Sequence, residues 1–223
     1  MALATFKDLC FDADDVDRAA RFWAATLGRR VEPSAPGLVL RGDAGYEAVW
    51  IDPVPEPKTV KHRWHLDLCG PSVEGLLALG ASVIDDESFR WIVMADPEGA
   101  EFCVFVGDDE PAFRLEDLNV DCADHRAQAV WWQSVLGGTL GGDDDGTLSW
   151  IGGIPNTPFD GIIFADVPES KTVKNRVHID LVAPSIDPLL SAGATLLRKP
   201  DDDIRWHVLA DPEGNEFCVF DRA

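Results

Sequence analysis

The chain has 223 residues, 46% of them hydrophobic, and carries 19 Lys and Arg against 40 Asp and Glu, a formal net charge of −21. Such a field repels phosphate backbones and anionic lipid, so nucleic acid and a membrane surface are excluded as expected partners. The five cysteines (Cys10, Cys69, Cys103, Cys122, Cys218) form no C-x-x-C pair, the N-terminal stretch has no basic and apolar leader, and no run is long enough to span a membrane; a cytoplasmic protein without a disulfide framework is expected.

Along the chain, Phe6 to Phe11 alternates as a half-buried strand. Asp14 or Asp15 can cap a helix in which Val16, Ala19, Ala20, Trp23 and Leu27 recur at helical spacing, and Gly28 stands where a C′ glycine ends it. Short strands are expected around 37–41 and 47–51, before the Pro-rich connection 53–57. Residues 63–68 read as another strand, Ser72 caps a short helix ended by Gly80, and strands follow near 81–84, 91–95 and 101–106. Asp96-Pro97-Glu98-Gly99 has the residues of a type I turn. The acidic stretch 106–112, with Gly and Pro, suits an exposed linker. Beyond it the plan returns: Asp124 caps a helix running to Gly137, Ser185 caps the next with Pro188 in its first turn, and Asp211-Pro212-Glu213-Gly214 repeats the turn.

The return is literal. KTVKHRWHLDL at 58–68 becomes KTVKNRVHIDL at 171–181, and residues 95–105 recur at 210–220 with only Ala100 changed, to Asn215. A period of about 110 residues is too long for a solenoid and right for a domain. The chain therefore reads as copy one (1–107), a linker (108–111) and copy two (112–223). Each copy has the plan βαβββ-βαβββ, an α+β fold in which a helix covers one face of each cupped mixed sheet and the other face is concave.

These motifs (Asp15 to Trp23 after the first strand, Arg63-x-His65-Leu66-Asp67-Leu68, Asp96 to Cys103, and their counterparts) resemble the vicinal-oxygen-chelate superfamily. The nearest subgroup is the glyoxalase-like domains of glyoxalase, bleomycin-resistance and dioxygenase proteins. The resemblance implies tandem domains packed as an internal pseudo-dimer, monomeric or forming a homodimer, with a pocket on each copy's concave sheet. It also implies metal ligands on the first, fourth, fifth and eighth strands. Carried over by position, these are Asp8 and Asp117, Glu47 and Asp160, His65 and His178, and Cys103 and Cys218. Glu101 and Glu216 stand two residues before the cysteines on the same face. A divalent ion (Zn, Mn, Fe, Ni or Mg) on Asp8, Glu47 and His65, or on Asp117, Asp160 and His178, would suit a lyase, isomerase or dioxygenase acting on vicinal oxygens. The competing reading is structural: the histidines donate to a cross-strand carboxylate such as Asp67 or Asp8, and Cys103 and Cys218, flanked by Phe and Val, are small buried hydrophobes.

Eight tryptophans are many for this length. Trp50, Trp91 and Trp206 fall on strands and are candidates to stack on a planar or cationic ligand in a concave face. That supports small-molecule binding, with sequestration of the resistance type as the first functional expectation. Arg63 and Arg176 belong to a basic cluster, rare in so acidic a chain. They either meet a ligand carboxylate or neutralise acids at a domain contact.

Overall fold

A computed structural model describes residues 2–107 and 109–221. Asp108 of the expected linker, with Met1, Arg222 and Ala223, lies outside the described residues. Copy one comprises β1 (Thr5–Ala13), α1 (Val16–Leu27), β2 (Arg30–Pro33), β3 (Leu38–Arg41) and β4 (Val49–Pro53), then β5 (Trp64–Gly70), α2 (Glu74–Ala78), β6 (Ser82–Asp85), β7 (Ile92–Ala95) and β8 (Glu101–Val106). Copy two repeats this as β9 (Arg114–Cys122), α3 (His125–Leu136), β10 (Thr139–Gly142), β11 (Leu148–Gly152) and β12 (Gly161–Asp166), then β13 (Val177–Ala183), α4 (Asp187–Ser191), β14 (Thr195–Arg198), β15 (His207–Ala210) and β16 (Glu216–Asp221).

The long helices form where their caps stand. Asp15 accepts the backbone N–H of Arg18 at 2.9 Å and Asp124 that of Ala127 at 2.9 Å, while Gly28 ends α1 at φ 63°. β2 was not among the expected strands: all of Arg30-Val31-Glu32-Pro33 is exposed at a sheet edge, so it shows no apolar alternation. The short helices begin later than expected. Val73 and Ile186 hold their N-cap places without a side-chain bond.

The copies exchange halves. Sheet one runs β14-β15-β16-β13-β1-β4-β3-β2 and sheet two β10-β11-β12-β9-β5-β8-β7-β6, so each eight-stranded sheet takes one half from each copy. The seams are antiparallel, β1 on β13 with Asp8 opposite Asp180, and β9 on β5 with Asp117 opposite Asp67. Each four-stranded half would otherwise leave the N–H and C=O groups of a long strand unpaired at an edge, and the other copy's half covers it. The expectation of one cup per copy is therefore corrected: each cup is shared.

The faces away from the cups meet in one core. Trp23 of α1 packs on Phe11 and Phe102, and Trp132 of α3 on Trp64 and Phe217, all in edge or T-shaped contact. The repeated Asp-Pro-Glu-Gly turn staples the two sheets. Asp96, in the β7–β8 turn of sheet two, accepts from Trp23 Nε1 at 2.9 Å, and Glu98 accepts the N–H groups of Asp14 and Asp15 at the start of α1, which lies on sheet one. Asp211 and Glu213 do the same for Trp132 and α3.

Candidate functional site

Period-two alternation sends Trp64, Leu66 and Leu68 of β5 into the core and His65 and Asp67 to the concave face of sheet two. β8 places Cys103 opposite Asp67, and β9 places Asp117 on its other side. His65 Nε2 lies 3.7 Å from Asp67 Oδ1 with both side chains buried, and one ligand atom each from His65, Asp67 and Cys103 falls within 4.8 Å of the others. Among the described residues, His65 Nδ1 and Asp67 Oδ1 have no hydrogen-bond partner.

Burial and charge set the protonation here. Burial, aided by Lys61, drives the His65 imidazole down to about 3, so it is neutral. Burial, then the facing Asp117, lifts the Asp67 carboxyl to about 7; burial, then Glu116 and Asp160, lifts Asp117 to about 6. Burial and Asp67 also raise the Cys103 thiol, which is therefore protonated at neutral pH. Cup two thus gathers buried Asp67 with half-buried Asp117 and Glu116; Arg114 pairs with Glu116 and Asp160, and among the described residues no Lys or Arg forms an ion pair with Asp67 or Asp117.

Cup one repeats the pattern and then fills it. His178 Nε2 is 3.7 Å from Asp180 Oδ1 and 3.6 Å from Cys218 Sγ, and Cys10 joins His178 and Asp180 in a cluster of the same kind. But Lys7 pairs with Asp8, lies 3.9 Å from Asp180, and places its ammonium 4.3 Å from the Phe220 ring centroid and 5.7 Å from that of Trp50. Trp50 Nε1 donates to Asp8 Oδ2 at 2.9 Å. In cup two the matching residues are Glu116, whose carboxylate takes Cys69 Sγ and Arg114, and Ile163. Of the other aromatics, Trp206 stacks on Phe220 in cup one, and Trp91 lies between Phe89 and Phe105 beside cup two.

The structure regroups the candidate ligands. Asp8 faces Asp180 across the β1–β13 seam, and Asp117 faces Asp67 beside His65 and Cys103; neither Asp8 with His65 nor Asp117 with His178 shares a sheet. Glu47 sits in a 3₁₀ turn (Gly45–Glu47) and accepts the Ala44 N–H, and Asp160 pairs with Arg114, so neither reaches a cluster. Glu101 and Glu216 are held by Lys58 and Lys171 and by the backbone N–H groups of His62 and Asn175. Arg63 and Arg176 point away from both cups. Arg63 donates to the carbonyls of Asp121 and Glu169, and Arg176 to those of Asp12 and Glu56 and to the Asp14 carboxylate. Lys7, Cys10, Asp67 and Asp180 were missed as site residues, although each lies one or two residues from a named candidate and alternation along the strand was the available signal for Cys10, Asp67 and Asp180.

This is the fold of a tandem vicinal-oxygen-chelate protein. Residues 8–105 and 117–220 both match the glyoxalase-like domain, and the chain belongs to that family. No curated protein matches it. Glyoxalase I from Zea mays is similar in structure at TM-score 0.73 and 14% identity, over 98% of this chain and 92% of that one. A Bacillus subtilis protein provisionally called a dioxygenase is similar at TM-score 0.67 and 12% identity, over 98% and 85%. The cppA protein of Streptococcus pneumoniae is similar at TM-score 0.51 and 10% identity, over 98% and 100%. Identities this low establish the shared fold and nothing about substrate.

Proposed function

We propose that this protein binds a small cationic molecule with an aromatic or apolar body in cup two. The carrying observation is the contrast between the cups. In cup one a lysine ammonium already rests between Asp8, Asp180 and two aromatic rings, which is the arrangement a cationic ligand seeks. Cup two keeps the carboxylates, exchanges that lysine for Glu116, and has Trp91 and Phe105 along its wall. A ligand ammonium there would relieve the mutual repulsion of Asp67 and Asp117, and the chain's negative field would draw it in. Sequestration of a cationic compound follows from such a site without any bond being made or broken.

A second reading rests on the unpartnered atoms of His65 and Asp67. A neutral imidazole, a carboxylate and a thiol within 4.8 Å of one another are a donor set that suits a borderline divalent ion such as zinc. His65, Asp67 and Cys103 would hold it and Asp117 would face it; bound, the ion would supply Lewis acidity toward a chelating oxygen substrate. Asp67 and Asp117, with carboxyls near neutrality, are suited to holding or passing a proton beside such a substrate. On this reading the protein is a metal-dependent lyase, isomerase or dioxygenase.

One experiment separates the two. Metal content of untagged protein, measured by mass spectrometry before any chelator is added, is expected to be below one equivalent. Tryptophan fluorescence is expected to be quenched by aryl-ammonium compounds in a saturable way, and Asp67→Asn/Asp117→Asn should abolish the quenching. A full equivalent of divalent ion, lost in His65→Ala and kept in His178→Ala, would replace the first reading with the second.

A further inference from the structure

One sizeable cavity lies in neither cup. It is a cleft of about 960 Å³ between the two copies of the Lys-Thr-Val-Lys motif, walled by segments 54–63 and 167–176. We propose that this cleft is a second ligand site, for a bulky apolar molecule that ends in an anionic oxygen group.

Three observations carry this. The first is size and lining. Small-molecule sites run to roughly 300–1,000 Å³ and are mainly apolar, and here Val60 and Val173, 41% and 43% exposed, are presented into the cleft by matching loops. Segment 55–61 donates no backbone hydrogen bond among those of turns and loops, nor does segment 168–174. The second is charge. Six Lys and Arg line the cleft against four Asp and Glu, a cationic excess in a chain of net charge −21. Lys61 and Lys174 pair with Asp121 and Asp12 yet stay 55% exposed, so each keeps N–H groups for a second anion.

The third observation is His62, where the two copies differ. In copy two the matching Asn175 donates to Asn215 Oδ1 at 2.9 Å, and Asn215 donates on to Asp211, a closed chain. In copy one Asn215 is replaced by Ala100, which cannot answer, and a void of about 20 Å³ adjoins His62, Ala100 and Asp96. His62 is only 7% exposed and lines the cleft, and among the described residues neither of its ring nitrogens has a partner. Buried polar groups are almost always bonded. Burial, with Lys58 and Arg176 nearby, outweighs the Glu101 carboxylate that accepts the His62 backbone N–H and keeps the ring neutral, its pKa lowered to about 4, so one nitrogen carries an N–H to donate. His62, Lys58 and Arg176 form the corner where the anionic end of the ligand binds, and the paired valines hold its body. The site is independent of the reading given for cup two.

The test uses two probes with one aromatic body, anilinonaphthalene sulfonate and the neutral phenylnaphthylamine, titrated by fluorescence into the full chain. Saturable binding of the sulfonate at one equivalent is expected, weakened about tenfold or more by Val60→Glu/Val173→Glu and severalfold by His62→Asn, with circular dichroism and melting temperature confirming the fold of each. Both valines are exposed, so the double variant should fold. Sulfonate binding that is absent, or untouched by Val60→Glu/Val173→Glu, would overturn the site. Neutral probe binding as tightly as the sulfonate would overturn its anionic character, and full affinity in His62→Asn would remove His62 from it.

Discussion

Lys7 and Glu116 hold the same place on β1 and β9 and give the two cups opposite electrostatics. Lys7→Met would leave Asp8 and Asp180 buried without their cation, a loss of about 3 kcal/mol or more. Thermal melts should show the drop, and added alkylammonium ions should restore part of it in the variant while leaving cup one of the native chain unaffected. Asp67 makes a pH prediction. Its folded pKa of about 7 stands above the ordinary 3.8, so the folded state holds the proton more tightly than the unfolded one. The stability this contributes is complete below about pH 4 and is lost as pH rises through 7. Asp67→Asn never ionises, so its melting temperature minus that of the native chain should grow from pH 5 to pH 8, by about 2–4 °C for each kcal/mol. A difference that stays flat over that range would show that Asp67 ionises freely in the folded chain.

At the scale of elements, the most strictly repeated segment has a structural explanation. The Asp-Pro-Glu-Gly turn supplies Asp96 to Trp23 and Glu98 to the first N–H groups of α1, and thereby fastens a helix of one sheet to a turn of the other. Glu98→Ala and Asp15→Ala each remove acceptors at that helix start and should cost about 1 kcal/mol, read as a shift in denaturation midpoint without a change in slope. Binding in cup two should survive both. The helices and this turn were legible because caps, turn residues and spacing act within a few residues. β2 was not, because an exposed edge strand is held by pairing with β3 and carries no apolar pattern of its own.

On the scale of the whole molecule, the exchange of halves makes neither copy complete. Residues 1–107 expressed alone would expose the long edges of β1 and β5. They should either form a homodimer that restores both sheets or aggregate, and mixing with residues 112–223 should recover a one-to-one complex by light scattering. A stable, folded monomer of 1–107 would contradict the pairing of β1 with β13 and of β5 with β9. The same exchange explains why the candidate ligands were grouped within one copy, whereas the structure brings residues of the two copies together. His65 and Asp117 belong to different copies, and a repeat read along the chain assigns each to its own.

The repeat, the family, the helix caps, the turns and the alternation that puts His65 and His178 on concave faces were all determined by the sequence alone, since each depends on neighbours close in the chain. Which acids face which histidine, that Lys7 fills one cup, that Glu47 and Asp160 stand aside, and that His62 opens on a central cleft were decided by the tertiary structure. Strand pairing across copies joins residues far apart in the chain, Asp67 with Asp117 and Asp8 with Asp180, and it is burial at those seams that moves their charges.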